Sequence, residues 1–302
     1  NVIKEAQVDK YDVMQALVSR GYQEVITYSF ISEKHQQLID PSAKKISLSN
    51  PISADMSTMR SSLWAGLLQT VESNQRRGHT DAKFFEIGLC FDGVKADEQS
   101  NKLAGIVSGN RFNAQWSGET QALDFFDAKA DLESILSFTL ATFDFEAAEH
   151  PALQKGQSAK ISLDGKHVGW IGALSPVVQK ELSLPKCYLY ELDLAVALSG
   201  KIAKYQPFSS YQQAQRDIAL VVDQTTSVAH LTNAINKLAQ EHFVGVSLFD
   251  VYEGEHVEPG KKSVALNLVY QSLEGTLADD EVNAKVDEVL AVMKDQFSAT
   301  LR

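Results

Sequence analysis

The sequence predicts an α+β protein in which a largely antiparallel sheet with helices is followed by a smaller split βαβ unit. Two observations carry this. In the first two hundred residues several strand-like segments follow one another with no helical pattern between them, whereas parallel pairing would demand long crossovers. From about residue 207 the elements run strand, helix, strand, strand, helix, strand, the βαββαβ order of ferredoxin-like domains.

Taken in order, Tyr11, Met14, Leu17 and Val18 fall on one helical face, and Gly21 is placed to end that helix. Residues 25–30, Val-Ile-Thr-Tyr-Ser-Phe, read as a strand because β-branched and aromatic side chains suit a pleated surface. Leu63, Leu67, Leu68 and Val71 repeat at helical spacing, and Arg76-Arg77-Gly78 closes that helix with cations at its negative end. Phe85, Ile87, Leu89 and Phe91 alternate as one buried strand face would. Leu132, Ile135, Leu136 and Leu140 mark a further helix. Asp164-Gly165 between two apolar runs, 160–163 and 167–174, is a strong hairpin signal.

Near residue 200 the pattern breaks at Ser199-Gly200-Lys201 and Gln206-Pro207-Phe208-Ser209-Ser210, which sets the expected domains at 1–204 and 205–302. Beyond it come a strand (217–222), a helix (228–241), a strand (244–252), a polar loop (253–260), a strand (263–270), a helix (279–297) and a short strand (299–301).

A chain of 302 residues can bury a large core without disulfides or metal. With 44% hydrophobic and 22% charged residues it has globular composition, and no apolar run reaches the roughly 20 residues of a membrane span. Its first residues, Asn1-Val2-Ile3-Lys4-Glu5, lack both an initiator Met and a signal-peptide pattern, so a piece of a longer protein is expected. Cys90 and Cys187 stand far apart with no partner motif, as buried thiols in a reducing cytoplasm would.

No active site is visible in motif chemistry. The seven histidines are scattered and form no HExxH or short His/Cys cluster, so no metal site is expected. Gly254 to Ser263 superficially resembles a phosphate-binding loop, but it has five residues between glycines and precedes a strand. Asp279-Asp280-Glu281 opens a helix, where negative charge complements the dipole. The net charge is −11, from 28 Lys and Arg against 39 Asp and Glu, which opposes any simple electrostatic binding of nucleic acid.

Specific segments nevertheless resemble a known family. The run Arg216-Asp217-Ile218-Ala219-Leu220-Val221-Val222 is similar to the opening strand of the anticodon-binding domain that ends bacterial phenylalanyl-tRNA synthetase β subunits. So are Leu248-Phe249-Asp250-Val251-Tyr252 with Gly254, Lys262-Ser263-Val264-Ala265-Leu266, and Thr276-Leu277 with Glu281-Val282. Upstream, Gly21-Tyr22-Gln23-Glu24-Val25-Ile26-Thr27-Tyr28-Ser29-Phe30, Asn50-Pro51-Ile52-Ser53, Met59-Arg60-Ser61-Ser62-Leu63, Phe85-Glu86-Ile87-Gly88, Asp124-Phe125-Phe126-Asp127-Ala128-Lys129 and Tyr190-Glu191-Leu192-Asp193 continue the resemblance in the family's order.

The resemblance implies that residues 1–204 form a class II synthetase-like module without chemistry of its own, scaffolding the catalytic α subunit of an α2β2 enzyme. That enzyme uses ATP and Mg²⁺; the fragment is expected to bind no cofactor. A class II ATP-binding Arg would stand two positions before Glu86, where Phe84 cannot make a bidentate phosphate contact. Residues 205–302 would hold the anticodon of tRNA-Phe. There Tyr252 would stack on an unpaired base, Asp250 would accept from a guanine, Ala219 and Ser263 would complete the pocket, and Arg216, Lys261 and Lys262 would contact phosphate. Arg76, Arg77 and Lys83 form a second basic cluster. The last domain carries seven Lys and Arg against fourteen Asp and Glu, so stacking and hydrogen bonding, not its field, are expected to supply affinity. The implied location is the cytoplasm, with no membrane or DNA partner. The rival reading is an acidic protein-interaction scaffold without RNA recognition.

Overall fold

In the computed structural model, residues 7–112, 115–238 and 240–302 are described. They form two compact units, Asn1–Ala203 and Lys204–Arg302. The first contains, in chain order, α1 (Lys10–Ser19), β1 (Gln23–Glu24), β2 (Phe30–Ile31), α2 (Glu33–Ile39), β3 (Thr58–Met59), α3 (Trp64–Gln75), β4 (Ala82–Phe91) and β5 (Gln99–Ser108). It continues with α4 (Phe125–Leu136), β6 (Phe143–Ala147), β7 (Leu153–Leu163), β8 (Lys166–Leu174), α5 (Pro176–Glu181), β9 (Cys187–Asp193) and α6 (Leu194–Ala197).

Seven of these strands form one sheet in the order β1-β4-β5-β9-β8-β7-β6. Pairing is antiparallel throughout except between β1 and β4. Both faces are covered. On one, α1 and α4 bring Val13, Leu17, Leu132 and Ile135 against Phe85, Leu103, Ile171 and Tyr190. On the other, α3 brings Trp64, Leu67, Leu68 and Val71 against Phe84, Ile106 and Leu189.

That double coverage corrects the alternation expected for β4. Its neighbours Phe84 and Phe85 are both buried, one in each core, while Leu89 of the expected buried face is 40% exposed. Two further expectations change. Residues 25–30 do not form one strand; Ile26 is 91% exposed. The Thr27 N–H and hydroxyl instead donate to the Glu86 carboxylate (3.2 and 2.7 Å), which takes this backbone out of the ladder. Leu140 is not on the α4 face, because the chain turns left-handed there (φ 54°) and leaves it exposed. The Asp164-Gly165 hairpin is present, with both residues at positive φ (51° and 75°) as a type I′ turn needs.

The second unit holds β10 (Ala214–Asp223), α7 (Val228–Lys237), β11 (Phe243–Tyr252), β12 (Lys261–Tyr270), α8 (Asp279–Phe297) and β13 (Thr300–Leu301). Helix α7 stops short of the expected Glu241; Gln240 instead hydrogen-bonds Tyr270 and the Lys285 carbonyl. The sheet order is β11-β12-β10-β13, all antiparallel. Helices α7 and α8 cover one face, burying Leu231, Ile235, Val282, Val289 and Met293 against Ile218, Leu220, Val222, Val264, Leu266 and Leu268. The intervening residues of β10 and β12, including Ala219, Val221, Ser263 and Ala265, face the opposite, helix-free side.

Candidate nucleic-acid interface

The helix-free face is built in rows, because residues paired across antiparallel strands point the same way. One row is Asp250, Ala265 and Ala219; the next is Tyr252, Ser263 and Val221. Ser247, Asn267 and Asp217 lie in the row before, where the Asn267 amide donates to Asp217 at 2.7 Å. Four of the residues expected from sequence, Ala219, Asp250, Tyr252 and Ser263, are thus brought together on one open surface.

A β-bulge decides this. Leu248 pairs with Leu266 on the helix side, but the next paired residue of β11 is Asp250, opposite Ala265. The extra residue, Phe249, shifts the register by one. In an unbroken ladder Asp250 would pair with Val264 and Tyr252 with Lys262, and both would face the helices.

Tyr252 is half-buried and Asp250 exposed. The Arg302 guanidinium lies 5.1 Å from the centre of the Tyr252 ring. Gly254 sits so close to that ring that a methyl group there would collide with the phenol hydroxyl. Ser263, between Tyr252 and Val221 in its row, is only 4% exposed although neither α7 nor α8 packs on that face.

The three expected phosphate contacts are arranged differently. Arg216 shares the parity of Ile218 and reaches α8, donating to Asp279 (2.6 Å), Asn283 (3.0 Å) and the Gln215 carbonyl (2.9 Å). Lys262 pairs with Val222, on the helix side. Lys261 shares the parity of Ser263 and holds Glu258 at 2.8 Å, a pairing that keeps its ammonium pKa above the ordinary lysine range. Arg302, which lies over Tyr252, is not among the residues expected from sequence; with Arg216 it is one of two arginines in this unit.

In the first unit the most buried charged groups are paired with one another. Arg60 meets Glu86 at 2.8 Å with both side chains 3% exposed. Lys102 meets Glu191 at 3.1 Å. Phe84 is buried against α3. Of the basic cluster Arg76, Arg77 and Lys83, Arg76 pairs with Glu72, Arg77 donates to Ser73, and Lys83 donates to the Arg20 carbonyl. Among the described residues, no group of His, Cys, Asp and Glu could hold a metal ion.

Two family models match in tandem. Residues 2–194 match the phenylalanyl tRNA synthetase beta chain CLM domain, and residues 209–302 the ferredoxin-fold anticodon binding domain. The chain is 41% identical over 305 aligned residues to the phenylalanine–tRNA ligase beta subunits of Pseudomonas savastanoi pv. phaseolicola and Pseudomonas syringae pv. syringae. It is 40% identical over 295 residues to that of Nitrosococcus oceani. The Pseudomonas alignments cover 99% of this chain and 38% of each relative, so the chain spans under two fifths of their length. From Val2 to Arg302, the matched segments and the two units they occupy make the chain a member of the phenylalanyl-tRNA synthetase beta chain family.

Proposed function

We propose that this chain is the part of a phenylalanine–tRNA ligase beta subunit that holds the tRNA-Phe anticodon and scaffolds the catalytic α subunit within an α2β2 enzyme. The observation that carries the first role is the convergence of Tyr252, Asp250, Ser263 and Ala219 on the helix-free face. Tyr252 offers a π-face on which an unpaired base stacks, worth about 1–3 kcal/mol. Asp250 is an exposed acceptor one row away, placed to take hydrogen bonds from the Watson–Crick edge of a guanine. Lys261, on the same face, supplies a phosphate contact; Arg216 and Lys262 would reach phosphates only around the rim.

For the first unit, the internal neutralisation of Arg60, Glu86, Lys102 and Glu191 supports a supporting role with no reaction of its own. ATP and Mg²⁺ belong to the chemistry of the whole enzyme. Both cysteines are buried and unpaired, as suits the reducing cytoplasm.

The test is binding of this chain to tRNA-Phe, beside the same tRNA with its first anticodon base changed. The expected result is weaker binding to the altered tRNA, with Tyr252→Ala removing the difference. Equal, salt-sensitive binding to both would overturn anticodon readout. An acidic protein-binding role has one observation in its favour: edge strand β11 exposes Val244, Leu248, Phe249 and Val251. Co-purification of the α subunit with this chain, abolished by charged substitutions at Phe249, would place protein contact there instead of RNA.

A further inference from the structure

We propose that Arg302 is a base-selecting residue of the open face. It stacks on Tyr252 in the absence of RNA and turns to the acceptor edge of a guanine when that base takes its place. The inference rests on the anticodon reading of the face and extends it to a residue outside the expected set.

Three observations lead to it. First, the backbone of Arg302 is fixed: β13 pairs Val221 with Thr300 and Leu220 with Leu301, and the Arg302 N–H donates to the Ala219 carbonyl at 2.9 Å. By strand parity Arg302 lies on the same side as Thr300, the helix-free side. Second, its guanidinium crosses the sheet to lie 5.1 Å from the Tyr252 ring centre, with Ser263 between the two strands' ends and buried. Third, it is the available arginine. The unit's other one, Arg216, has its donors committed to Asp279, Asn283 and Gln215, whereas Arg302 forms no ion pair among the described residues.

The spacing decides how a base enters. Stacked carbon atoms sit about 3.5–4.0 Å apart, so a base held between ring and guanidinium would need about 7–8 Å. The observed 5.1 Å leaves no room. A base that stacks on this side of Tyr252 therefore displaces the guanidinium, and the lost cation–π contact must be made good. Guanine does so, because O6 and N7 accept both N–H groups of an arginine fork. Adenine presents one acceptor and one donor on that edge, so one N–H is left opposed. Asp250, as acceptor, reads the other edge of the same guanine. An unpaired base with both edges exposed is the target such an arrangement fits.

The experiment titrates the 302-residue chain with two anticodon stem-loop RNAs, one with guanine and one with adenine at the first anticodon position. Arg302→Ala, Arg302→Lys and Tyr252→Ala are compared with the parent. Arg302→Ala should reduce the guanine preference by between about 5- and 150-fold, the range for one bidentate base contact, by weakening guanine binding with no loss of adenine binding. Arg302→Lys should lose the same preference, since an ammonium lacks the fork. An equal loss for both RNAs would reduce Arg302 to a phosphate contact and overturn the assignment. An equal gain would make it only an occupant of the ring, with the same consequence. If Tyr252→Ala abolishes the guanine preference while Arg302→Ala keeps it, the Arg302 inference alone fails. If the parent shows no preference, the anticodon reading fails with it.

Discussion

Glu191 holds Lys102 through one carboxylate oxygen (3.1 Å) and the start of helix α3 through the other, which accepts from the Leu63 N–H (2.7 Å) and the Ser62 hydroxyl (2.9 Å). Leu63 occupies the N-cap position and has no capping side chain. A carboxylate 128 residues away in sequence therefore does what a local Ser or Asp usually does, and its negative charge suits the helix dipole. Glu191 in turn keeps the partly buried Lys102 ammonium charged, raising its pKa against the opposing effect of burial.

Glu191→Gln should destabilise the first unit by about 1–3 kcal/mol, because it leaves the partly buried Lys102 without its counter-charge and weakens the hold on the start of α3. The three tryptophans, Trp64, Trp116 and Trp170, all lie in that unit. Urea unfolding followed by tryptophan fluorescence therefore reads this unit alone. A shift below about 1 kcal/mol would show that the pair is solvent-screened.

The Arg60–Glu86 pair should behave as a buried pair with shared partners. Arg60 also donates to the Leu89 carbonyl (2.9 Å) and Thr27 (3.0 Å), and a methyl at Gly88 would collide with its guanidinium. Arg60→Met or Glu86→Met alone should cost about 3–5 kcal/mol, and the double variant much less than their sum. Additive losses in the same unfolding assay would contradict the coupling.

Alkaline pH should weaken the first unit through Cys187. Burial pushes its thiol from 9.0 up to about 12. A raised folded-state pKa means that its contribution is complete below the unfolded value and is lost as pH rises towards the folded one. Stability should fall between those values at up to about 1.4 kcal/mol per pH unit. Cys187→Ala should flatten that part of the profile; an unchanged profile would assign the alkaline loss to other groups.

Gly254→Ala tests the seat of Tyr252 without touching the ring itself. The added methyl forces the phenol out of position, and guanine stem-loop affinity should fall by an amount within the roughly 1–3 kcal/mol of a stacked base. Affinity equal to the parent's would mean that the ring position does not matter for binding.

Much of the fold was legible because it follows from local rules. Residues 279–297 form a helix as their acidic first turn and apolar spacing predict. Asp164-Gly165 turns the β7–β8 hairpin because those two residues accept positive φ. The order βαββαβ emerged from periodicity alone. Residues 25–30 misled because their β-propensity was real but their hydrogen bonds were claimed by Glu86, distant in sequence and adjacent in space.

For the site, sequence determined that Asp250 and Tyr252 share a face, since alternate residues of a strand always do. Which face was a tertiary decision. It depended on the bulge at Phe249, whose single extra residue turns both side chains from the helices to the open side. The meeting of Tyr252 with Arg302, fifty residues further on, depended on β13 closing the edge of the sheet beside β10. Propensity and parity act over a few residues and are written in the chain; register and long-range pairing are settled only when the strands compete for partners, and they chose the surface this unit presents.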